Sequence, residues 1–167
     1  MRARRTAQNA RRAREFEAFV AGAGGRLLHT AALLTAEDGT DHPHARRLLT
    51  HALAQTYADW DRLHGEDPYD RARRHLVLRF DHTAWYRHGI PWRAGTAGSG
   101  PLAGLTARER LVLVLRLYEG VAEEQTAALL GLPVERVHAV CDRAAATLLH
   151  PPREPAPVRS GVEAATP

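Results

Sequence analysis

The residues best placed to bind a ligand are arginines and aromatic rings on a helix predicted near the middle of the chain. Asp67 and Pro68 predict its start, because aspartate caps helix N-termini and proline fits the first turn. Basic residues interleaved with rings suit a single nucleic-acid strand, whose bases stack while its phosphates are neutralised. The alternative is a solvated arginine face, with Trp85 closing the domain core. The candidate nucleic-acid contacts are Arg71, Arg73, Arg74, Arg79 and Trp85, with Tyr86 and Arg87 beside them.

A second candidate site lies between Thr106 and Leu148, where the sequence predicts a helix, a short helix, a Gly-Leu-Pro turn and a further helix. Gly131 stands where the turn needs a permissive backbone, and Pro133 where a proline opens the next helix. This is the outline of a helix-turn-helix, which places one helix in the DNA major groove. The alternative is an ordinary helical hairpin. The last helix has a predicted buried stripe of Val134, Val137, Val140 and Ala144.

Several kinds of chemistry lack the residues they need. Only Ser99 and Ser160 could act as serine nucleophiles, and both lie in predicted linker or tail. Of the ten histidines, the closest set is His42, His44 and His51, and no carboxylate or cysteine completes a tetrahedral site with them. Phosphate-loop and dinucleotide motifs are missing from the sequence. We therefore predict a protein that is not an enzyme and has no cofactor and no metal.

Composition indicates an all-α protein. Aromatic residues make up 6% and hydrophobic residues 44%, mostly Ala, Leu and Val, which suits helices packed through small side chains. All 23 basic residues are arginine, and the net charge of +4 is compatible with a nucleic-acid partner. The single cysteine, Cys141, fits a reducing cytoplasm, and no apolar run could span a bilayer. We expect a cytoplasmic protein that does not associate with membranes.

The pattern along the chain predicts two small helical domains joined by a Gly/Pro-rich linker, the second domain being the helix-turn-helix. Before the first domain, six arginines without a large apolar residue predict a disordered basic tail that could extend the first helix. The predicted segments are the tail 1–14, the N-terminal domain 15–88, the linker 89–104, the C-terminal domain 105–149 and a Pro-rich tail 150–167.

Laid out in this way, the chain resembles the bacterial extracytoplasmic-function sigma factors, particularly an actinobacterial branch. The stretches ARRLLTHALAQTYADWDRL and DPYDRARRHLVLRFDHTAWYR are similar to the domain that binds the polymerase clamp and opens the promoter. The stretch PLAGLTARERLVLVLRLYEGVAEEQTAALLGLPVERVHAVCDRAAATLL is similar to the domain that reads the minus-thirty-five element. The resemblance implies that the arginine-rich helix captures the minus-ten element.

The predicted second helix departs from the family at its polymerase contact. Family members usually carry an acidic motif there that faces a basic surface on the polymerase clamp. Here the acidic positions are Arg46, Arg47 and His51. Opposite-sign contacts become like-sign ones, which costs on the order of several kcal/mol at an interface. The resemblance implies a polymerase-binding surface of Arg47, Leu48, Thr50 and His51.

The predicted recognition helix also departs from the family. Its usual basic and hydroxyl residues are replaced by His138, Ala139 and Val140. Because DNA affinity comes mostly from neutralised phosphates, we expect this helix to bind weakly by itself. The candidate DNA contacts are Arg136, His138 and Arg143, of which Arg143 matches the family's arginine and Arg136 replaces a small residue.

Two hypotheses follow from this pattern. The first is a sigma factor that directs RNA polymerase to promoters, with core polymerase and promoter DNA as partners and an anti-sigma factor as a further one. The second is a degenerate sigma-like interaction module that binds an anti-sigma factor or another regulator. The family outline favours the first, and the altered charges favour the second.

Overall fold

The structure is a computed structural model that describes the backbone of residues 2–87 and 100–150, with side chains for residues 4–84 and 100–150. Within these ranges every regular element is helical, so the predicted all-α fold is confirmed. None of the described helices combines the length and apolarity needed to cross a bilayer. The helices are α1 (Arg2–Thr35), α2 (Pro43–Asp59), α3 (Pro68–Arg87), α4 (Ala107–Leu113), α5 (Glu123–Leu130) and α6 (Val134–Leu149).

Two short elements extend this order. The 3₁₀ turn Trp60–Arg62 follows α2, and the π-helical stretch Val114–Tyr118 continues α4. Residues 89–99 of the predicted linker, residues 151–167 of the predicted tail and the Trp85 side chain lie outside the described part of the chain.

Helix α1 begins earlier than the sequence pattern predicts. The segment 1–14 was predicted to be disordered, with extension of the first helix as the alternative. The structure shows the alternative, because the segment is helical from Arg2 onward. Arginine and alanine are good helix formers, and Arg12 anchors this part of the helix. Its guanidinium lies 3.0 Å from a carboxylate oxygen of Asp61 and 4.2 Å from the centre of the Tyr57 ring. Contacts with distant residues therefore hold a segment whose composition alone resembles a tail.

Carboxylates accept hydrogen bonds from backbone N–H groups at the starts of the next two helices. The Asp67 side chain accepts a hydrogen bond from the Tyr69 N–H at 2.9 Å, which confirms the predicted cap of α3. The Glu37 carboxylate accepts from the backbone N–H groups of His44 and Ala45 at 2.9 and 2.7 Å. Burial opposes ionisation of Glu37, but these hydrogen bonds prevail and lower its pKa. Helices α2 and α3 therefore start at fixed points on the N-terminal body, defined as α1 to α3.

The C-terminal helices form the predicted helix-turn-helix. Thr106 and Glu109 make a capping box at the start of α4, each side chain accepting from the other residue's backbone N–H. Gly131 ends α5 at φ 62°, in the left-handed region that glycine tolerates best. Val137, on the inner side of α6, is fully buried. We call residues 100–150 the C-terminal module.

One hydrophobic core connects the N-terminal body with the C-terminal module. The core includes Leu34 of α1, Leu76 of α3, Leu111 of α4 and Val137 of α6. Helix α4 packs against both α1 and α3. The two groups of helices predicted as separate domains therefore share an apolar interface.

Candidate nucleic-acid interface

The predicted arginines of α3 fall into two groups. Arg71 and Arg73 are mostly covered and ion-paired, Arg71 with Glu66 at 2.5 Å and Arg73 with Asp70 at 2.8 Å. Arg74 and Arg79 are exposed and have no ion pair among the described residues. Free guanidinium groups can neutralise phosphates without first breaking a protein contact. Arg74 and Arg79 are therefore the α3 arginines most available to DNA.

The exposed face of α6 has most of its positive charge matched by acidic residues. The Arg143 Nε lies 2.9 Å from a carboxylate oxygen of Glu109 in α4. The His138 ring nitrogens lie 3.2 Å from Glu123 and 3.2 Å from Asp142. Of the three predicted contact residues, only Arg136 is exposed without an ion pair in the described ranges. The predicted weakness of this helix therefore has a structural counterpart.

The acidic neighbours change the protonation of this face. The hydrogen bond with Glu123, together with the charges of Asp142 and Glu123, raises the pKa of His138. Burial alone would raise the pKa of Glu109, but hydrogen bonds from Thr106 and Arg143 lower it below its usual value. Glu109 thus stays ionised near neutral pH and holds Arg143 against α4.

The predicted polymerase surface on α2 is mostly exposed. Arg47, Thr50 and His51 face solvent. Leu48 is only 8% exposed and belongs to the core, so its side chain is structural in this state. Arg46, beside them, lies 3.0 Å from Asp41. This surface is therefore basic, as the sequence indicates.

Within the described residues, no group of three or more His, Cys, Asp or Glu side chains has the arrangement of a metal site.

Sequence reasoning missed Glu119, which lies between the π-helical stretch and Gly120. Its carboxylate is fully buried, although the sequence around it reads only as a helix end. It accepts hydrogen bonds from the Thr30 hydroxyl at 2.5 Å and from the Tyr69 hydroxyl at 2.9 Å. Burial, followed by the hydrogen bond to Glu119, raises the pKa of Tyr69. An acid within an apolar run was the one available signal, because a buried carboxylate requires partners.

Two arginines complete this group. An Arg26 guanidinium nitrogen lies 3.3 Å from the Glu119 carboxylate, and one of Arg73 lies 3.6 Å from it. Both guanidinium groups also lie over the Tyr69 ring, at 5.1 and 5.8 Å from its centre. We call Glu119 with Thr30, Tyr69, Arg26 and Arg73 the Glu119 cluster. It joins the C-terminal module to α1 and α3 of the N-terminal body.

Comparison with known proteins finds a similar family for the C-terminal module. Residues 102–148 match the family described as Sigma-70, region 4. The match begins shortly before α4 and ends within α6, so it includes the whole helix-turn-helix. The helices within the match have the order and the turn of the predicted helix-turn-helix.

A curated relative extends the similarity beyond the region 4 domain. The RNA polymerase sigma-E factor of Streptomyces coelicolor is 28% identical over 159 residues, covering 80% of this chain and 84% of the relative. The similarity is distant, but its extent includes part of the N-terminal body. No solved structure gives a significant match. Both matches are to transcription proteins, in agreement with the prediction that the chain is not an enzyme.

Proposed function

We propose that this protein is an extracytoplasmic-function type of sigma factor that directs RNA polymerase to promoters. The observation that carries the proposal is the region 4 match on a helix-turn-helix, in a chain distantly similar to a sigma-E factor along most of its length. RNA polymerase core and promoter DNA are then its partners, and an anti-sigma factor is a further one. We expect it to act in the cytoplasm, where transcription takes place.

In this proposal α3 provides most of the DNA affinity. Arg74 and Arg79 are exposed and free to neutralise phosphates, and Arg71 and Arg73 lie on the same helix. Trp85, at the end of α3, is proposed to stack on an unpaired base of the minus-ten element. One base–aromatic stack contributes about 1–3 kcal/mol. Loss of Trp85 is therefore expected to weaken promoter opening by at least roughly tenfold.

Helix α6 is proposed to read the minus-thirty-five element. Arg136 is its available cation, whereas Arg143 and His138 must first leave acidic neighbours. A bidentate arginine contact with guanine contributes about 1–3 kcal/mol of base discrimination. We therefore assign α6 a role in specificity and only a small share of the affinity.

The polymerase contact on α2 is proposed to be weaker than that of a family member with the usual acids. Arg47 and His51 are exposed and present positive or neutral groups where carboxylates would face a basic clamp. Introducing Arg47→Asp with His51→Glu should strengthen binding to core polymerase. Gln55→Asn, a neutral change at an exposed position of α2 outside the four predicted contact residues, is the matched control. Weaker binding of the acidic variant would show that this surface does not face a basic partner.

A second function is favoured by the same charges. If α2 does not bind the polymerase clamp, its basic face suits an acidic surface on an anti-sigma factor or another regulator. The matched charges on α6 also favour this interaction-module hypothesis, since they reduce DNA affinity. The chain would then keep the sigma-like fold without starting transcription.

A pull-down of core RNA polymerase with the purified full chain, repeated across salt concentrations, separates the two functions. The sigma-factor proposal predicts retention of core polymerase at low salt and a gain from the acidic α2 variant. The interaction module predicts no retention at any salt concentration and capture of a single acidic regulator from the host instead. Retention without any promoter-dependent transcription would also contradict the sigma-factor proposal.

A further inference from the structure

All four side-chain partners of Glu119 belong to the other part of the molecule. Glu119 lies in the C-terminal module, whereas Thr30 and Arg26 lie on α1 and Tyr69 and Arg73 lie on α3. The Glu119 side chain has no exposed surface, and the Arg73 side chain is only 17% exposed. Arg73 is also one of the arginines assigned to DNA on α3. The same contact that holds the module therefore occupies a DNA-contacting cation.

We propose that the Glu119 cluster is an intramolecular clasp that keeps the chain in a closed state and withholds Arg73 from DNA. Release of the clasp separates the C-terminal module from the N-terminal body and exposes Arg73. The DNA part of this inference rests on the proposed function of α3. The conformational part rests only on the contacts within the chain.

The chemistry of the cluster makes the clasp reversible. Glu119 supplies one negative charge, whereas Arg26 and Arg73 supply two positive charges. A DNA phosphate offers Arg73 the same kind of charge-assisted contact as the carboxylate does, so the two compete for it. Arg73 also pairs with Asp70 on its own helix, a contact that opening of the clasp does not require to break. Opening leaves Glu119 free to be hydrated.

A second set of contacts closes the same interface at a different place. The Gly100 N–H donates a 3.0 Å hydrogen bond to the Ala36 carbonyl at the end of α1. A Cβ added at Gly100 would lie 2.8 Å from the Glu37 carbonyl oxygen and 3.0 Å from backbone atoms of Ala36. The Arg110 guanidinium donates to the Leu34 carbonyl at 2.9 Å. A side chain at position 100 should therefore open the interface without changing any charge.

The clasp is tested in the full chain with two opening variants and one matched control. Glu119→Gln removes the carboxylate, and Gly100→Val pushes the module away from α1. Glu124→Gln removes an equal charge from an exposed position on the same module. Fluorescence energy transfer between dyes at Gln55→Cys and Ala146→Cys, in a Cys141→Ser background, reports the separation of the two parts. Circular dichroism reports the helical content.

We expect both opening variants to lower the transfer efficiency at unchanged helical content, and Glu124→Gln to leave it unchanged. Promoter DNA should bind the opening variants with a steeper salt dependence, the slope of log K against log salt increasing by about 0.9 for one added phosphate contact. Adding Arg73→Ala to either variant should remove this increase. Together these results support the clasp.

Other results would contradict the clasp, the withholding of Arg73 or the proposed function, and each of these outcomes can be distinguished from the others. Unchanged transfer efficiency in both folded opening variants shows that the cluster does not hold the closed state. Loss of helical content in both variants shows that these contacts belong to folding rather than to a clasp. Opening with a salt slope that does not depend on Arg73 overturns the withholding of Arg73. Opening without DNA binding by any form, wild type included, leaves the clasp supported and contradicts the proposed function.

Discussion

The polar faces of α3 and α6 both carry cationic residues, but they differ in how acidic neighbours are placed. On α3, Arg74 and Arg79 are exposed and have no ion pair in the described residues. On α6, Arg143 faces Glu109 and His138 faces two carboxylates. The count of basic residues therefore does not measure the capacity to bind DNA. We expect it to depend also on the acids placed beside each cation, both by neighbouring helices, as Glu109 is, and by the same helix, as Asp142 is.

From this difference we expect the two faces to contribute differently to DNA binding. A cation held by a carboxylate must give up that contact before it binds a phosphate, so it contributes less to affinity. We expect the α3 face to dominate the salt-dependent affinity and α6 to adjust it.

Replacing Val137 with aspartate should remove the α6 face altogether. Val137 is fully buried in the shared core, so the new carboxylate would lack both water and a partner. We expect a loss of at least about 3 kcal/mol in the free energy of unfolding. Urea denaturation followed by circular dichroism measures it. Ala139→Asp, on the exposed side of the same helix, is the control and should lose far less. Equal losses would show that Val137 is not packed as described.

Removing the free arginines of α3 should produce the largest change in DNA binding that leaves the fold intact. Arg74→Ala with Arg79→Ala removes two proposed phosphate contacts, so the slope of log K against log salt should fall by about 1.8. Fluorescence anisotropy with a promoter fragment at several salt concentrations measures it. Arg62→Ala, on the 3₁₀ turn, is the control and should leave the slope unchanged. A fall of the same size in Arg143→Ala alone would reverse the proposed order of the two faces.

Neutralising Glu109, the acid that holds Arg143, should leave α6 with an unpaired arginine, as Arg74 and Arg79 are on α3 among the described residues. Glu109→Gln removes the charge but preserves the capping box, because the glutamine amide oxygen can also accept the hydrogen bond from the Thr106 backbone N–H. We expect the freed Arg143 to steepen the salt dependence by about 0.9 in the same anisotropy measurement. The gain should disappear in the double variant Glu109→Gln with Arg143→Ala. A gain that persists there would come from the general change in net charge.

Titration of His138 should show the smallest effect. Its raised pKa means that its ion pairs contribute fully to stability below the unfolded value of about 6.5 and lose that contribution as the pH rises through the folded pKa. We expect an imidazole pKa above 6.5 by nuclear magnetic resonance. Glu123→Gln should lower it, since the hydrogen bond with Glu123 is the main cause of the shift. A wild-type pKa at or below 6.5 would contradict the described pairing.

The sequence was sufficient to predict the local elements because their signals are local. The Asp67 cap, the Gly131 turn and the buried side of α6 at Val137 each depend on residues within a few positions of one another. The Thr106–Glu109 capping box has an equally local signature, a threonine followed three residues later by glutamate. This signature is also sufficient to predict the start of α4.

The long-range charge pairs could not be predicted in the same way. Arg143 and Glu109 are 34 positions apart, and Thr30 and Glu119 are 89 apart. The first pairing depends on how α4 packs against α6, and the second on how the π-helical stretch packs against α1, neither of which a local pattern encodes. The availability of each candidate arginine, and the role of Glu119, therefore required the structure.

Permanganate footprinting of a promoter, with core RNA polymerase and the full chain, most directly tests the proposed sigma-factor function and the role of the α3 arginines in it. We predict reactive thymines in the minus-ten region only when both proteins are present. The signal should be lost in the Arg74→Ala, Arg79→Ala variant and retained in Arg143→Ala, with circular dichroism confirming that both variants are folded. Core polymerase that gains no thymine reactivity from the wild-type chain, or reactivity that survives without the α3 arginines, would contradict it.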